Sequence, residues 1–449
     1  MCRTQRGRDS MRIVLISDFY PPHLGGVELQ VEALGQALTA QGHDVIVATV
    51  WEHGRPTGEQ NGDVRLVRLK SLATIFPWFS GDPARRYHPP FPDPRIALSL
   101  RRLVRRFKPD VVQAHGWIAY SAALALTGTG IPMVLSVRDY GYSCATRNLL
   151  IDGSICSGPQ LAKCLRHAAK VYGPGKGIVA VTAVLALRTW LGRRVRTVHA
   201  VSGHVARIVQ RDLLCGSPAG RVGSTPNVVI IPDIVLTSRP PSGALVTGAL
   251  VPGERALESE PDIASSLPTT PFILFVGALQ PHKGIWPLLR AYRTLVDPPP
   301  LVLIGTRWPD TPADIPSDVT VLSDVAHADV MRAWEAALFG VAPSIWPDPL
   351  PGVIREAMSL GKAVVGTRVG GIPDIIVDGE NGLLVEPGDE IGLATAMTRL
   401  IDDPQLRERL GAQARTDVAR YDPANIVRWF VEAYQVQRHT DRALDGGSS

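Results

Sequence analysis

Residues 11–50 read MRIVLISDFYPPHLGGVELQVEALGQALTAQGHDVIVATV, and this stretch decides the fold. Met11–Ser17 is a continuous apolar run, the pattern of a parallel strand buried on both faces. A turn rich in Pro and Gly follows, from Tyr20 to Gly26. Val27, Val31, Leu34 and Leu38 then recur at helical spacing, Gly42 closes the helix, and Asp44–Val50 reads as the next strand. The unit is strand, glycine turn, helix, strand.

The same alternation runs outward from it. Val64–Leu69, Asp110–Ala114, Pro132–Val137, Thr197–Val201 and Val228–Ile231 read as strands, with helices at Ile96–Phe107 and His204–Leu214. The composition then shifts to Pro, Ser, Gly, Thr and Glu with no apolar period, so a linker is expected over 236–270. A second series opens with a strand at Phe272–Val276 and a helix at Gly284–Leu295. Further strands are expected at Leu301–Ile304, Val319–Leu322, Val341–Pro343 and Ala363–Gly366. Helices are expected at His327–Leu338, Gly352–Leu360, Pro404–Arg420 and Pro423–Val436. Strands alternating with helices predict parallel sheets covered on both faces. The expected architecture is α/β, with one Rossmann-like domain over 11–235 and another over 271–420, facing each other across a cleft. Such sheets bind ligands at the carboxyl ends of their strands.

Size and composition exclude other classes. At roughly 100–200 residues per domain, 449 residues make two to three domains. A chain that is 45% hydrophobic and 20% charged can bury large cores, and its Gly and Pro content is too low for a collagenous or low-complexity protein. A net charge of +5 is too mild to point to nucleic acid. Its placement is more telling. Arg101, Arg102, Arg105, Arg106 and Lys108 form one basic cluster, and Arg188, Arg193, Arg194 and Arg196 another. These are either two solvated helix faces or a surface drawn to an anionic membrane or a phosphate-bearing acceptor.

Five cysteines make no secreted disulfide framework. The first ten residues are polar where a signal peptide needs an apolar core. The most apolar run, Ile178–Leu187, is shorter than the roughly 20 residues of a membrane-spanning helix. A cytoplasmic protein is expected, with peripheral contact to the inner face of a membrane left open. Cys144, Cys156, Cys164 and His167 stand apart, the last two as a C-x-x-H pair. They are either buried free thiols or a tetrahedral zinc site of three thiolates and one imidazole. Their spacing follows no common zinc pattern, and a metal there would pin the insertion 140–175 rather than catalyse.

The densest chemistry lies at Trp346-Pro347-Asp348-Pro349-Leu350-Pro351-Gly352-Val353-Ile354-Arg355-Glu356-Ala357-Met358. Pro351 suits a first helical turn, where its missing N–H costs nothing. A helix starting near Gly352 offers unpaired N–H groups and a positive dipole end to a phosphate. Glu356 lies one turn deeper on the same face, placed to take a diol from a ligand anchored by that phosphate. Asp348 precedes the helix and can accept from another hydroxylated group. This is the pattern of a sugar-nucleotide site. No two Asp stand at i and i+2, so a metal-diphosphate motif is absent and no metal cofactor is expected. Gly173–Gly177 is no phosphate-binding P-loop, since Gly177 stands where that loop needs Ser or Thr after its Gly-Lys. No Gly-x-Gly-x-x-Gly follows Met11–Ser17, which removes support for a dinucleotide-dependent dehydrogenase.

These residues resemble the retaining GT-B glycosyltransferases of family 4, which carry two acids with seven residues between them, as Asp348 and Glu356 do. The resemblance continues through Gly361–Thr367, Val369–Asp374 and Asp378–Val385 and covers most of 11–435. Tyr20-Pro21-Pro22 with Gly25-Gly26-Val27-Glu28 resembles the family's glycine loop. Asp110–His115 resembles a strand ending in a His near the donor sugar, although His115 by itself reads equally as a core histidine. Phe275–Leu279 with Lys283-Gly284 resembles the segment that meets the diphosphate.

The resemblance implies a metal-independent, retaining hexosyltransferase. It would move a sugar from a nucleoside diphosphate to a hydroxyl acceptor, either lipid-linked, as in a cell-envelope glycan precursor, or soluble. It implies catalytic roles for His115 and Asp348. Donor binding would fall to Gly25, Gly26, Lys283, Leu350, Gly352, Val353 and Glu356, with the sugar nucleotide a substrate and not a cofactor. It also implies a C-terminal helix, 421–438, packing back on the N-terminal half. Three positions depart from the family: Asp348 where Glu is usual, Ala278 where Arg is frequent, and Arg138 where His is frequent. Lys283 is then the one side-chain cation of its segment, with Arg138 and Arg307 as candidate replacements. Two other readings stay open: a sugar-nucleotide-binding protein without transferase activity, and a GT-B-like sugar-nucleotide epimerase.

Overall fold

The run after Arg12 forms a strand whose remaining five residues are all buried, as an interior parallel strand requires. The computed structural model describes residues 10–21, 26–72, 88–214, 226–236 and 266–445, with side chains of the last helix through Val436. Glycine-loop residues 22–25, Gly25 among them, and most of the expected linker (237–265) lie outside the described residues. The chain divides into two units. Unit 1 runs to Ile234 and resumes at Pro423, and unit 2 takes Val235 to Asp422.

Unit 1 begins with β1 (Arg12–Ser17), α1 (Gly26–Ala40), β2 (Asp44–Val50), β3 (Gly58–Asn61), β4 (Val64–Leu69) and α2 (Pro94–Phe107). It continues with β5 (Val111–His115), α3 (Ala119–Leu126), β6 (Met133–Val137), the short pair β7 (Leu150–Ile151) and β8 (Ser154–Ile155), and α4 (Leu161–Tyr172). It then adds α5 (Pro174–Gly192), β9 (Thr197–Ala200), α6 (Gly203–Asp212) and β10 (Asn227–Ile230). Its main sheet has the order β10-β9-β6-β5-β1-β2-β4-β3, parallel except for β3. The strand order reverses at β1, which pairs with β2 on one side and β5 on the other, setting Ser17 beside His115. A reversal point of this kind is where an open parallel sheet binds its ligand.

Unit 2 holds β11 (Ile273–Val276), α7 (Ile285–Arg293), β12 (Leu301–Ile304), β13 (Thr320–Leu322), α8 (His327–Ala336) and β14 (Phe339–Ala342). It goes on with α9 (Gly352–Ser359), β15 (Val364–Thr367), β16 (Leu383–Val385), α10 (Glu390–Asp402) and α11 (Pro404–Val418). Its sheet, β13-β12-β11-β14-β15-β16, is wholly parallel, and its order reverses at β11. Ile273, Leu288, Leu303, Phe339, Val365 and Met397 close the core between sheet and helices. Each such side chain contributes roughly 1.5–3 kcal/mol by leaving water. The expected pair of Rossmann-like domains is present, one in each unit.

The final helix, α12 (Pro423–Asp445), belongs to unit 1. It packs on α1 and buries Ile426, Val427, Phe430 and Tyr434. One expectation is corrected. The run Ile178–Leu187 is part of α5, a 19-residue helix long and apolar enough, by length and composition, to cross a membrane. A third of that window is buried in unit 1. Gly177 lets α5 approach α4 closely, since a Cβ there would stand 2.8 Å from the Ala169 amide nitrogen.

Candidate active site

In unit 2 two loops at the carboxyl ends of β11 and β14 are locked together. The carbonyl of His282 accepts from the amides of Ile345 and Trp346, both at 3.1 Å. The His282 ring meets Trp346 edge-on at 5.6 Å, and Lys283 Nζ stands 4.8 Å over the same indole. Lys283 Nζ also donates to Asp348 Oδ2 at 2.5 Å. A phosphate arriving at Lys283 would therefore share it with Asp348. Gly284 and Gly370 make this packing possible. Their φ angles are +82° and +62°, and a Cβ would stand 1.7 Å from the Pro343 carbonyl oxygen in the first case and 2.3 Å from the Asp348 carbonyl oxygen in the second.

Helix α9 starts immediately beyond. Its N-cap is Pro351, with no side-chain hydrogen bond to the first turn, so its leading amides keep their donors. A Cβ on Gly352 would meet nothing closer than Arg355 Nη2 and Glu356 Oε1, each at 3.8 Å. Leu350 is buried, while Gly352 and Val353 are part-exposed at the helix start. The Glu356 carboxylate lies one turn in, 3.3 Å from Nε2 of His327 at the start of α8. Lys283, Asp348, Leu350, Gly352, Val353 and Glu356 thus all belong to one end of this sheet. Exposed Arg307 bridges to Leu279, the residue after Ala278.

Residues 25–227 match the family described as glycosyl transferase 4-like domain, and residues 258–417 match glycosyl transferases group 1. Together these span most of the chain. The chain belongs to the glycosyltransferases of this group 1 and 4-like type. Glycogen synthase of Mycobacterium tuberculosis is 24% identical over 426 residues, covering 90% of this chain and 89% of that protein. Phosphatidyl-myo-inositol mannosyltransferase of Mycobacterium leprae is 29% identical over 201 residues, 43% of this chain and 52% of that protein. Sucrose-phosphate synthase from Thermosynechococcus elongatus shares the GT-B fold at a TM-score of 0.69 and 18% identity, covering 98% of this chain and all of that one.

Unit 1 of the glycosyltransferase contains a cavity of about 760 Å³ at the carboxyl ends of β1 and β5. Gly26, at the start of α1, lies on its wall, and no atom stands within 4 Å of where its Cβ would be. His115 also lines it, yet both ring nitrogens are buried without a hydrogen-bond partner among the described residues. Burial, then Arg138 and His199, hold its pKa well below the ordinary value, so the ring is neutral at pH 7. His115 is thus a neutral imidazole at the edge of the cavity, with both nitrogens closed off from solvent.

The turn behind His115 is built by a residue that the sequence did not single out. Asp18, just past β1, accepts from the amides of Trp117 and Ile118 at 3.0 and 2.8 Å. Gly116, at φ +74°, passes so close that a Cβ would lie 2.3 Å from Asp18 Oδ2. Burial raises the Asp18 carboxyl to about 6, against the pull of Arg147. Arg147 in turn pairs with Asp139 and lies 5.2 Å over the Trp117 ring. Arg138 pairs with Asp233 inside unit 1. Asp18 ends an apolar strand, and His327 opens a helix twenty-nine residues before Glu356; neither carries a spacing signal.

The two basic clusters meet in space. Arg101 on α2 donates to the Thr127 carbonyl at 2.9 Å and Arg194, just past α5, to the Thr127 hydroxyl at 2.7 Å. Cys144, Cys156, Cys164 and His167 come together around one small cavity, and the three thiols are free.

Proposed function

We propose that this glycosyltransferase is a retaining, metal-independent hexosyltransferase that uses a nucleoside diphosphate sugar and a hydroxyl acceptor. The carrying observation is the uncapped start of α9, with Glu356 one turn deeper and the Lys283–Asp348 pair beside it. In this reading the amides of Gly352 and Val353 and the ammonium of Lys283 hold the diphosphate. Glu356 takes the ribose diol, Leu350 packs against the donor, and Asp348 orients the sugar. Gly25 and Gly26 add backbone N–H groups, and the neutral His115 donates to the reacting sugar. The bond from the anomeric carbon to the phosphate oxygen breaks as the acceptor oxygen bonds to the same face of that carbon, and a phosphate oxygen takes the acceptor proton. Charge grows on the leaving diphosphate, and preorganised donors aimed at such charge are usually the largest catalytic term. The absence of an Asp-x-Asp motif supports this metal-free route.

A lipid-linked acceptor suits the unit 1 cavity. One wall is apolar, from Val171, Val179 and Ala180, and carries Lys176. Ile178 and Val179 on α5 are 51% and 40% exposed beside it, so the helix can lie against the inner face of a membrane with its basic residues at the headgroups.

A thermal-shift series of nucleoside diphosphates tests the donor reading, since ligand at a hundred times Kd stabilises by about 2.7 kcal/mol. One nucleotide is expected to raise Tm, and Glu356→Gln to lower both that shift and transfer. Undiminished transfer by Glu356→Gln would overturn the assignment, and an inverted anomer in the product would overturn retention. Binding with no transfer to any acceptor, or donor interconversion without acceptor, would favour the two alternatives. Failure to float with vesicles rich in anionic lipid would remove the membrane part.

A further inference from the structure

We propose that Cys144, Cys156, Cys164 and His167 form a structural zinc site that ties the segment between β6 and α4 into the wall of the unit 1 cavity. The four groups come from three stretches of chain: the turn after β6, the end of β8, and one face of α4, where Cys164 and His167 are three residues apart. All four line a single cavity of about 20 Å³, room for one ion-sized occupant and little else. His167 Nε2 is shut off from solvent and has no hydrogen-bond partner among the described residues. A buried nitrogen left without a partner is costly, and a metal would satisfy it.

The thiols have no strong competing use. Cys144 Sγ contacts Thr146 Oγ1 at 3.1 Å, Cys156 Sγ donates to the Gly158 carbonyl at 3.5 Å, and Cys164 Sγ accepts from the Gln160 amide at 3.4 Å. Among the described residues, no three His, Cys, Asp or Glu side chains stand close enough together to hold an ion as they are placed. Binding would require the four side chains to turn inward at the expense of those weak sulfur contacts, to a Zn–S distance of about 2.3 Å. Cys144 lies in a turn after β6 and Cys156 follows β8, while Cys164 and His167 lie on α4, which packs against α5. β7 and β8 have two residues each. Arg147, Leu149 and Asp152 hold left-handed φ angles of 65°, 53° and 49°, a conformation that non-glycine residues keep only where surrounding contacts impose it. The same segment places Thr146, Arg147, Val171 and Tyr172 on the larger cavity, so a metal here would set that wall without touching the reaction.

The test uses the full chain with Cys2→Ser and Cys215→Ser, so that only these three thiols remain. Expected results are one zinc per chain after purification without chelator, and, after exchange into cobalt, visible bands of a tetrahedral thiolate complex. His167→Ala is expected to weaken zinc binding more than about tenfold. His167→Cys should keep the metal with an altered cobalt spectrum, which separates loss of a ligand from loss of the fold. Natively folded chain with no bound zinc and no cobalt bands would overturn the proposal. So would thiols that react with Ellman's reagent at the same rate with and without zinc, or a disulfide among them in the purified protein.

Discussion

Asp18 is a carboxylate buried at the end of a strand to hold two backbone amides. Burial raises its pKa from 3.8 to about 6. Between those values the folded chain keeps the proton and the unfolded chain does not. Its stabilising contribution is therefore full below 3.8 and lost as pH rises through about 6, a span of about 3 kcal/mol at 1.36 kcal/mol per unit. Asp18→Asn removes that term. Urea unfolding from pH 4 to 7 should show wild type gaining stability relative to the variant as pH falls. Parallel curves would show that Asp18 does not titrate there. Catalysis should respond in the opposite sense. Below about pH 6 the protonated carboxyl accepts less well from Trp117 and Ile118, loosening the turn that aims His115.

At the scale of elements, what matters is how loops at strand ends are held. The Trp346–Asp348 loop is fixed from one side by the His282 carbonyl and from the other by residues 370–371, where the Gly371 amide donates to the Asp348 carbonyl at 2.7 Å. Gly370 combines a left-handed φ with backbone contact, so Gly370→Ala meets both a conformational penalty and a collision. We expect a loss of more than about 2 kcal/mol in stability and weaker nucleotide binding, because the displaced loop carries Asp348. Calorimetric unfolding together with nucleotide titration checks both. A variant with unchanged Tm and affinity would show that the loop can give way freely.

At the scale of the whole chain, α12 crosses back to unit 1 and ends a buried polar relay. Tyr434 donates to Gln113 Oε1, Gln113 Nε2 to Ser136 Oγ at 3.0 Å, and Ser136 to His199 Nδ1 at 2.5 Å. His199 Nε2–H then donates to the Ile231 carbonyl at 2.6 Å. Burial lowers the His199 pKa to about 3, so the ring is neutral and one tautomer satisfies every member. Gln113 lies two residues before His115 on β5, and Ser136 pairs with His115 from β6, so the far end of the chain braces the strand that carries it. Tyr434→Phe leaves a buried acceptor unmet, and a cost of about 1–3 kcal/mol is expected in denaturant unfolding. A cost near zero would show that the relay is slack.

The sequence determined both sheets. Buried parallel strands need unbroken apolar runs, and those at 13–16, 272–276 and 301–304 have no other use. It also determined the start of α9, because Pro351 and Gly352 act through local backbone geometry. Elements held by burial and not by pattern were invisible in it: α3, the β7–β8 pair, and the extension of an apolar run into α5. Asp18, His327, Tyr434 and the meeting of three cysteines and a histidine around one small cavity were decided only by tertiary structure. Their partners lie tens to hundreds of residues away, and a buried polar group takes its energy and its role from whichever partner the fold brings to it.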